Sequence, residues 1–194
     1  NVVIDSFGQV IVIDWGLAKI IDEASVESLM DSVAIGGGGD RTSEGQVLGT
    51  PLYMAPEQAA GRLDELDSRT DIYGLGSILF AIVTGYAPHE KTQKASIDSG
   101  LGARGMIGII ANGVTPSAID PNPDVDPALD AICRKAMVRR RYARYQLASE
   151  LAEDVQRWMA GEPVTAYREP SWQRVNRWIG QHQRISQALM AAAT

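Results

Sequence analysis

The sequence predicts an α+β chain, mainly helical behind a short N-terminal β-hairpin. Three observations predict it. Two β-branched runs flank a turn tetrapeptide at the start, the stretch from Asp71 to Thr84 is apolar nearly all the way round, and two later stretches repeat apolar residues at helical spacing. At 194 residues the chain has room for one well-buried core. With 45% hydrophobic and 22% charged residues it is not a disordered segment. No apolar run approaches the ~18 residues of a membrane span. One cysteine, Cys133, excludes an internal disulfide framework.

Charge is unevenly spread. The chain carries 18 basic and 24 acidic side chains, a net charge of −6, which argues against a general nucleic-acid binder. Residues 1–133 hold 7 basic and 19 acidic side chains, whereas 134–194 hold 11 and 5. A basic tail therefore follows an acidic body. The opening Asn1-Val2-Val3-Ile4 has no charged leader and reads as a chain cut off upstream rather than as a signal peptide.

Val2–Ile4 and Gln9–Ile13 are the β-branched runs, and Asp5-Ser6-Phe7-Gly8 between them makes a hairpin turn. Residues 22–48, with the glycine run 36–39, read as a long loop. The helix 71–84 has Ser68 and Thr70 as candidate N-caps and stops at Gly85, with Pro88 beyond. Its apolar character all round predicts a buried central helix. Gly74 and Gly76 each cost that helix about 1 kcal/mol relative to Ala, so a close approach is expected there. Residues 98–113 suggest a glycine-interrupted helix, and 120–123 (Asp-Pro-Asn-Pro) a stiff connector. Asp126 and Pro127 start a helix with the stripe Leu129, Ile132, Cys133, Ala136 and Met137. Leu147, Leu151, Val155, Trp158 and Met159 form a second stripe, closed by Gly161 and Pro163. A basic amphipathic stretch, 171–190, carries Trp172, Val175, Trp178, Ile179 and Ile185.

Taken alone, Asp14-Trp15-Gly16 is a carboxylate at a strand end followed by a glycine turn. Its meaning changes with its company. Gly49-Thr50-Pro51-Leu52-Tyr53-Met54-Ala55-Pro56-Glu57, then Asp71-Ile72-Tyr73-Gly74-Leu75-Gly76, then Arg144-Tyr145 ahead of a helix follow it in order. This constellation resembles the C-terminal lobe of the eukaryotic-type serine/threonine protein kinases, most closely their bacterial members, over residues 1–163. The resemblance implies a protein kinase-like fold with the N-lobe absent from this chain, an activation segment at 14–57, and a basic amphipathic tail at 164–194 that packs on the lobe or runs beside a membrane.

The resemblance also implies roles. Asp14-Trp15-Gly16 stands where the family has D-F-G, and Asn1 where it has the asparagine ending the catalytic loop. Hard Mg²⁺ wants oxygen ligands, which Asn1 and Asp14 would supply for ATP phosphates. An Asn before the first strand of a hairpin and an Asp after the second converge at one edge. The plain alternative is a chain terminus and a turn former. Trp15 replaces the family's usual Phe, filling the same slot with an indole whose N–H needs a partner. Thr50, in the segment that would receive the residue after the phosphoacceptor, implies a hydroxyl bonded to the catalytic aspartate and serine/threonine specificity. Its alternative is a functionless Gly-Thr-Pro turn. Glu57 matches the A-P-E glutamate and Arg144 the distant arginine that pairs with it, a structural clamp. Asp71 matches the aspartate that holds the catalytic-loop backbone, or is a first-turn acid favoured by the helix dipole. Thr42 and Ser43 are the activation-loop phosphoacceptors to expect. Arg141 and Ala143 stand where the family often has a Pro and an Asp, and the arginines around them read as a solvated face.

Other features imply less. His89 and His182 are isolated and no zinc site is expected. Cys133 lies on an apolar stripe and is expected to be buried. The family's glycine-rich loop, its strand lysine and the catalytic aspartate, due about five residues before Asn1, are not in these residues. The chain alone is therefore expected to transfer phosphate poorly or not at all. The expected parent is a cytoplasmic kinase domain using ATP and Mg²⁺ on protein Ser/Thr hydroxyls, with its own N-lobe as partner and a membrane anchor beyond Thr194. The competing reading is a pseudokinase or scaffold that keeps the lobe without the chemistry.

Overall fold

A computed structural model describes residues 2–13 and 51–170. The chain divides into two compact units, Asn1–Gln46 and Val47–Thr194. In the first, strands β1 (Val2–Ile4) and β2 (Val10–Val12) pair antiparallel with Val2 opposite Val12 and Ile4 opposite Val10. Asp5 builds the turn, because its Oδ1 accepts from the backbone N–H of both Phe7 and Gln9 at 2.8 Å. Gly8 takes the left-handed conformation that closes it, at φ 80°.

The second unit holds six helices among the described residues: α1 (Pro56–Ala59), α2 (Ser68–Thr84), α3 (Glu90–Asp98), α4 (Gly102–Asn112), α5 (Pro127–Ala136) and α6 (Ala148–Met159). Helix α2 is the axis of the larger core. It lays Ile72, Tyr73 and Phe80 against Leu129, Ile132, Cys133, Ala136 and Met137 of the α5 stripe, with Tyr145 and Leu151 beside them. A smaller cluster gathers Ala59 of α1 with Met106, Ile110 and Ala111 of α4.

Several expectations need correcting. The N-cap of α2 is Asp67, not Ser68 or Thr70: its carboxylate accepts from Arg69 N–H at 2.9 Å, while Thr70 Oγ1 accepts from Asp67 N–H. The reciprocal pair needs an acceptor three residues before Thr70, and only Asp67 supplies it. Helix α2 is not buried all round either, since Leu75 is 41% and Ile82 73% exposed. Its C-cap is Gly85, at φ 77°. The helix expected over 98–113 is α4 and starts only at Gly102, because Gly100 and Gly102 both adopt positive φ; residues 90–98 ahead of that break form a helix of their own, α3, which the sequence reading did not place. In the second stripe Leu147 and Met159 are exposed, and the inward positions of α6 are Leu151 and Asp154. Residues 120–123 do more than stiffen a connector: Asn122 Nδ2 donates to Val83 O at 3.1 Å, tying the loop to the end of α2.

Of the two glycines in α2, one is required by packing. A Cβ on Gly76 would stand 2.5 Å from Ala136 Cβ and 3.1 Å from Met137 Cγ, so α2 and α5 meet there without room for a methyl group. A Cβ on Gly74 would meet nothing within 4 Å. Gly76→Val should accordingly lower unfolding stability by about 1–3 kcal/mol through overpacking. Gly74→Ala should raise it by up to about 1 kcal/mol through helix propensity. Urea unfolding of the two variants measures both.

Candidate functional site

The segment that ends in α1 is anchored by one carboxylate. Pro56 starts α1 at its first turn, and Gln58 Oε1 reaches back to accept from Ala55 N–H at 3.0 Å. This places Glu57 inward, 3% exposed. Arg144 meets it from 87 residues away with a two-pronged bond, Nη1 to Oε1 at 2.7 Å and Nη2 to Oε2 at 2.8 Å. Thr70 Oγ1 adds a third donor at 2.9 Å. The remaining Arg144 N–H groups go to the carbonyls of Val138, Arg69 and Arg139, and the guanidinium lies 5.0 Å over the Tyr73 ring.

A buried ion pair is tolerable when its polar atoms are hydrogen-bonded, and here all five Arg144 N–H groups and both Glu57 oxygens have partners. Burial pushes the Glu57 carboxyl up, but the Arg144 bonds, a backbone bond and the Thr70 hydroxyl outweigh it and hold it below the usual carboxylate range. Four pieces of chain, α1, the start of α2, the 138–139 backbone and the turn before α6, converge on this pair.

A second network locks the other side of Tyr73. His89 is 5% exposed, its Nε2 2.9 Å from the Tyr73 hydroxyl and its ring plane within 12° of that of Tyr73. Burial lowers the His89 pKa to about 4, so the imidazole is neutral. A third network fixes the end of the helical unit. Asp154, buried on α6, accepts from the Tyr145 hydroxyl at 2.7 Å and from Thr165 N–H, Thr165 Oγ1 and Ala166 N–H. Burial opposes ionisation, yet these donors keep its pKa low. The packed body consequently runs past Pro163, with Val164 buried and Ala166 and Tyr167 packed on the core.

Of the residues singled out in the sequence, the structure brings Glu57 and Arg144 together. Asp71 stands exposed in the first turn of α2, and its carboxylate makes no hydrogen bond among the described residues. Desolvation, then the nearby Asp67 charge, raises its pKa. Cys133 is fully buried, its thiol pushed up to about 12 by burial. Asn1, Asp14, Trp15, Gly16, Thr42, Ser43 and Thr50 lie outside the described residues, as do His182, the glycine run 36–39 and the tail residues 171–194. Among the described residues no helix is long and apolar enough to cross a membrane.

Arg141 is not on a solvated face. Its guanidinium donates to the Glu65 carbonyl, bonds Asp67 at 2.8 Å and lies 3.5 Å from the Glu65 carboxylate. The compact Arg141–Ala143 3-10 turn points it back onto the α2 N-cap. Sequence reading named Thr70 only as a cap and His89 only as an isolated histidine, and it assigned no role to Tyr73 or Asp154. Asp154 alone carried a signal: an acid three residues after Leu151 falls on the helix's apolar stripe, where only a fully hydrogen-bonded carboxylate is stable.

Removing Arg144 leaves Glu57 buried without its partner, so Arg144→Ala should cost about 3–5 kcal/mol in denaturant unfolding. The pH dependence has two windows. His89 has a folded pKa of about 4 against an ordinary 6.5, so its contribution is complete above 6.5 and is lost as pH falls towards 4. Asp67, held at about 2 by Arg69 against an ordinary 3.8, contributes above 3.8 and loses that contribution as pH falls to 2. Stability measured against pH should decline in both windows, with His89→Gln flattening the first and Asp67→Asn the second.

The comparisons with known proteins agree with this geometry. The family model described as "Protein kinase domain" matches residues 1–155. The chain is 31% identical over 163 residues to serine/threonine-protein kinase PknD of Protochlamydia amoebophila, covering 83% of this chain and 16% of that protein. It is 31% identical over 166 residues to serine/threonine-protein kinase PknB of Mycobacterium tuberculosis, covering 86% and 23%. A probable PknB of Bifidobacterium longum is 32% identical over 164 residues, covering 84% and 21%. The chain thus spans a sixth to a quarter of the length of these relatives. The match takes in the hairpin, the Glu57–Arg144 pair and α6 as far as Val155, Asp154 included, and the chain belongs to the protein kinase domain family.

Proposed function

We propose that residues 1–163 form the C-terminal lobe of a serine/threonine protein kinase whose whole protein transfers the γ-phosphate of ATP to Ser and Thr hydroxyls. Residues 14–57 would be its activation segment and 164–194 a basic tail whose first residues, to Tyr167, pack on the lobe, with a membrane anchor sought beyond Thr194. The hairpin register is the observation that carries the reading beyond family membership. Val2 pairs with Val12, so the strand ends adjoining Asn1 and Asp14 lie side by side. The amide of Asn1 and the carboxylate of Asp14, next in sequence to those strand ends, would be hard oxygen donors of the kind that suits Mg²⁺.

Asn1 and Asp14 would hold the metal ion, which supplies neutralisation of the charge on the transferring phosphates. Trp15 and Gly16 would set the orientation of Asp14. The Thr50 hydroxyl would position the catalytic aspartate expected about five residues upstream of Asn1, and the turn around it would receive the substrate. Glu57 and Arg144 take no part in the chemistry: they hold the far end of the activation segment against the lobe. Asp71, at the head of α2, would hold the catalytic-loop backbone. Phosphate on Thr42 or Ser43 would add charge that arginines can pair.

The test uses the full-length protein with Mg-ATP and a generic basic protein. Phosphate should appear on Ser and Thr of the substrate and fall to background in Asp14→Asn, with the thermal midpoint unchanged. An intact protein that binds ATP with Mg²⁺ yet transfers nothing would make it a pseudokinase, and one that does neither would make it a scaffold.

A further inference from the structure

A cavity of about 580 Å³ opens beside the Glu57–Arg144 pair, between α1, the start of α2 and the 139–142 segment. Five arginines line it, Arg62, Arg69, Arg139, Arg140 and Arg141, against two carboxylates, Glu57 and Glu65. The charges do not balance locally. Glu57 is taken by Arg144 from behind, Glu65 is shared by Arg62 and Arg141, and Asp67 by Arg69 and Arg141. Arg139 and Arg140 have no carboxylate within 4 Å among the described residues. Their side chains bond only neutral groups, Asn112 Oδ1 at 3.3 Å and the Tyr142 hydroxyl at 3.0 Å. Three surplus positive charges on one cavity stand out in a chain of net charge −6.

We propose that this cavity docks a phosphorylated residue of a protein partner, with Arg139, Arg140 and the Tyr142 hydroxyl gripping the phosphate. A guanidinium fork matches the oxygens of a phosphate dianion, and the bonds are charge-assisted on both sides. Neutral partners at Arg139 and Arg140 are released at little cost, whereas the ion-paired arginines hold the wall in place. The volume is that of a site that encloses a whole side chain and its flanking backbone, well beyond a free ion. Tyr142, 69% exposed at the rim, offers a flat apolar face to that flanking chain. An extended polyanion is disfavoured, because the body around the cavity is acidic. This inference is independent of whether the whole protein transfers phosphate.

The full chain is immobilised and offered a degenerate phosphothreonine peptide library, the same library unphosphorylated, and inorganic phosphate as competitor. The phosphorylated library should be retained about tenfold over its counterpart. That preference should vanish in Arg139→Ala/Arg140→Ala and persist in Lys94→Ala, which removes a charge from α3, in a separate groove lined also by Tyr86, Ile97 and Pro121. Both arginines are exposed, so the double variant should keep the wild-type thermal midpoint. Equal retention of the two libraries, a preference that survives the double variant, or equal loss in Lys94→Ala overturns the proposal. Inorganic phosphate competing at the same concentration as phosphopeptide overturns its peptide part, leaving a free-anion site.

Discussion

The helical unit depends on the ion pair between Glu57 and Arg144. A buried guanidinium needs acceptors for all its N–H groups, and satisfying them fixes five pieces of backbone or side chain at once: Glu57, Val138 O, Arg69 O, Arg139 O and the Tyr73 ring. The pair's worth as raw stability is small, because desolvating both charges offsets much of their attraction. Its effect is to exclude alternatives. Any arrangement of α1, α2 and the turn before α6 that separates the two charges leaves one of them buried alone.

Tyr73 extends that constraint. One face of its ring meets Arg144 and its hydroxyl meets His89, so the residue after Ile72 on α2 joins the clamp to the loop that leads into α3. Burial keeps the histidine at that junction neutral, so the hydroxyl contact is made to an uncharged ring. The Asp154 network works in the same way at the opposite end, drawing Tyr145 and Thr165 onto α6. Tyr145 adjoins Arg144 in sequence, so two of the three buried networks are joined through a single peptide unit.

Much of this architecture was legible in the sequence. The α5 helix could be read closely, from Asp126 and Pro127 through the buried stripe, because its signals are local: a cap, a proline and a period. The hairpin was legible for the same reason. The N-cap of α2 was misplaced although its signal is local: Asp67 and Thr70 cap each other three residues apart, ahead of the apolar run that marked the helix. The full burial expected of α2 failed at Leu75 and Ile82, since hydropathy states what a face prefers and not whether a neighbour exists to cover it. The pairing of Glu57 with Arg144 could be named only through family resemblance. No periodicity links two residues 87 apart, and His89 and Tyr73 carry no shared pattern either.

The contact at Gly76 couples two positions that are sixty residues apart in the chain. Gly76 and Ala136 occupy one small shared volume where α2 crosses α5. Their sizes must trade against each other: a methyl gained at 76 has to be given up at 136, and Ala136 has a single methyl to give. Drift at this crossing is therefore confined to a swap between glycine and alanine, so in any collection of related sequences the two columns should vary jointly or not at all.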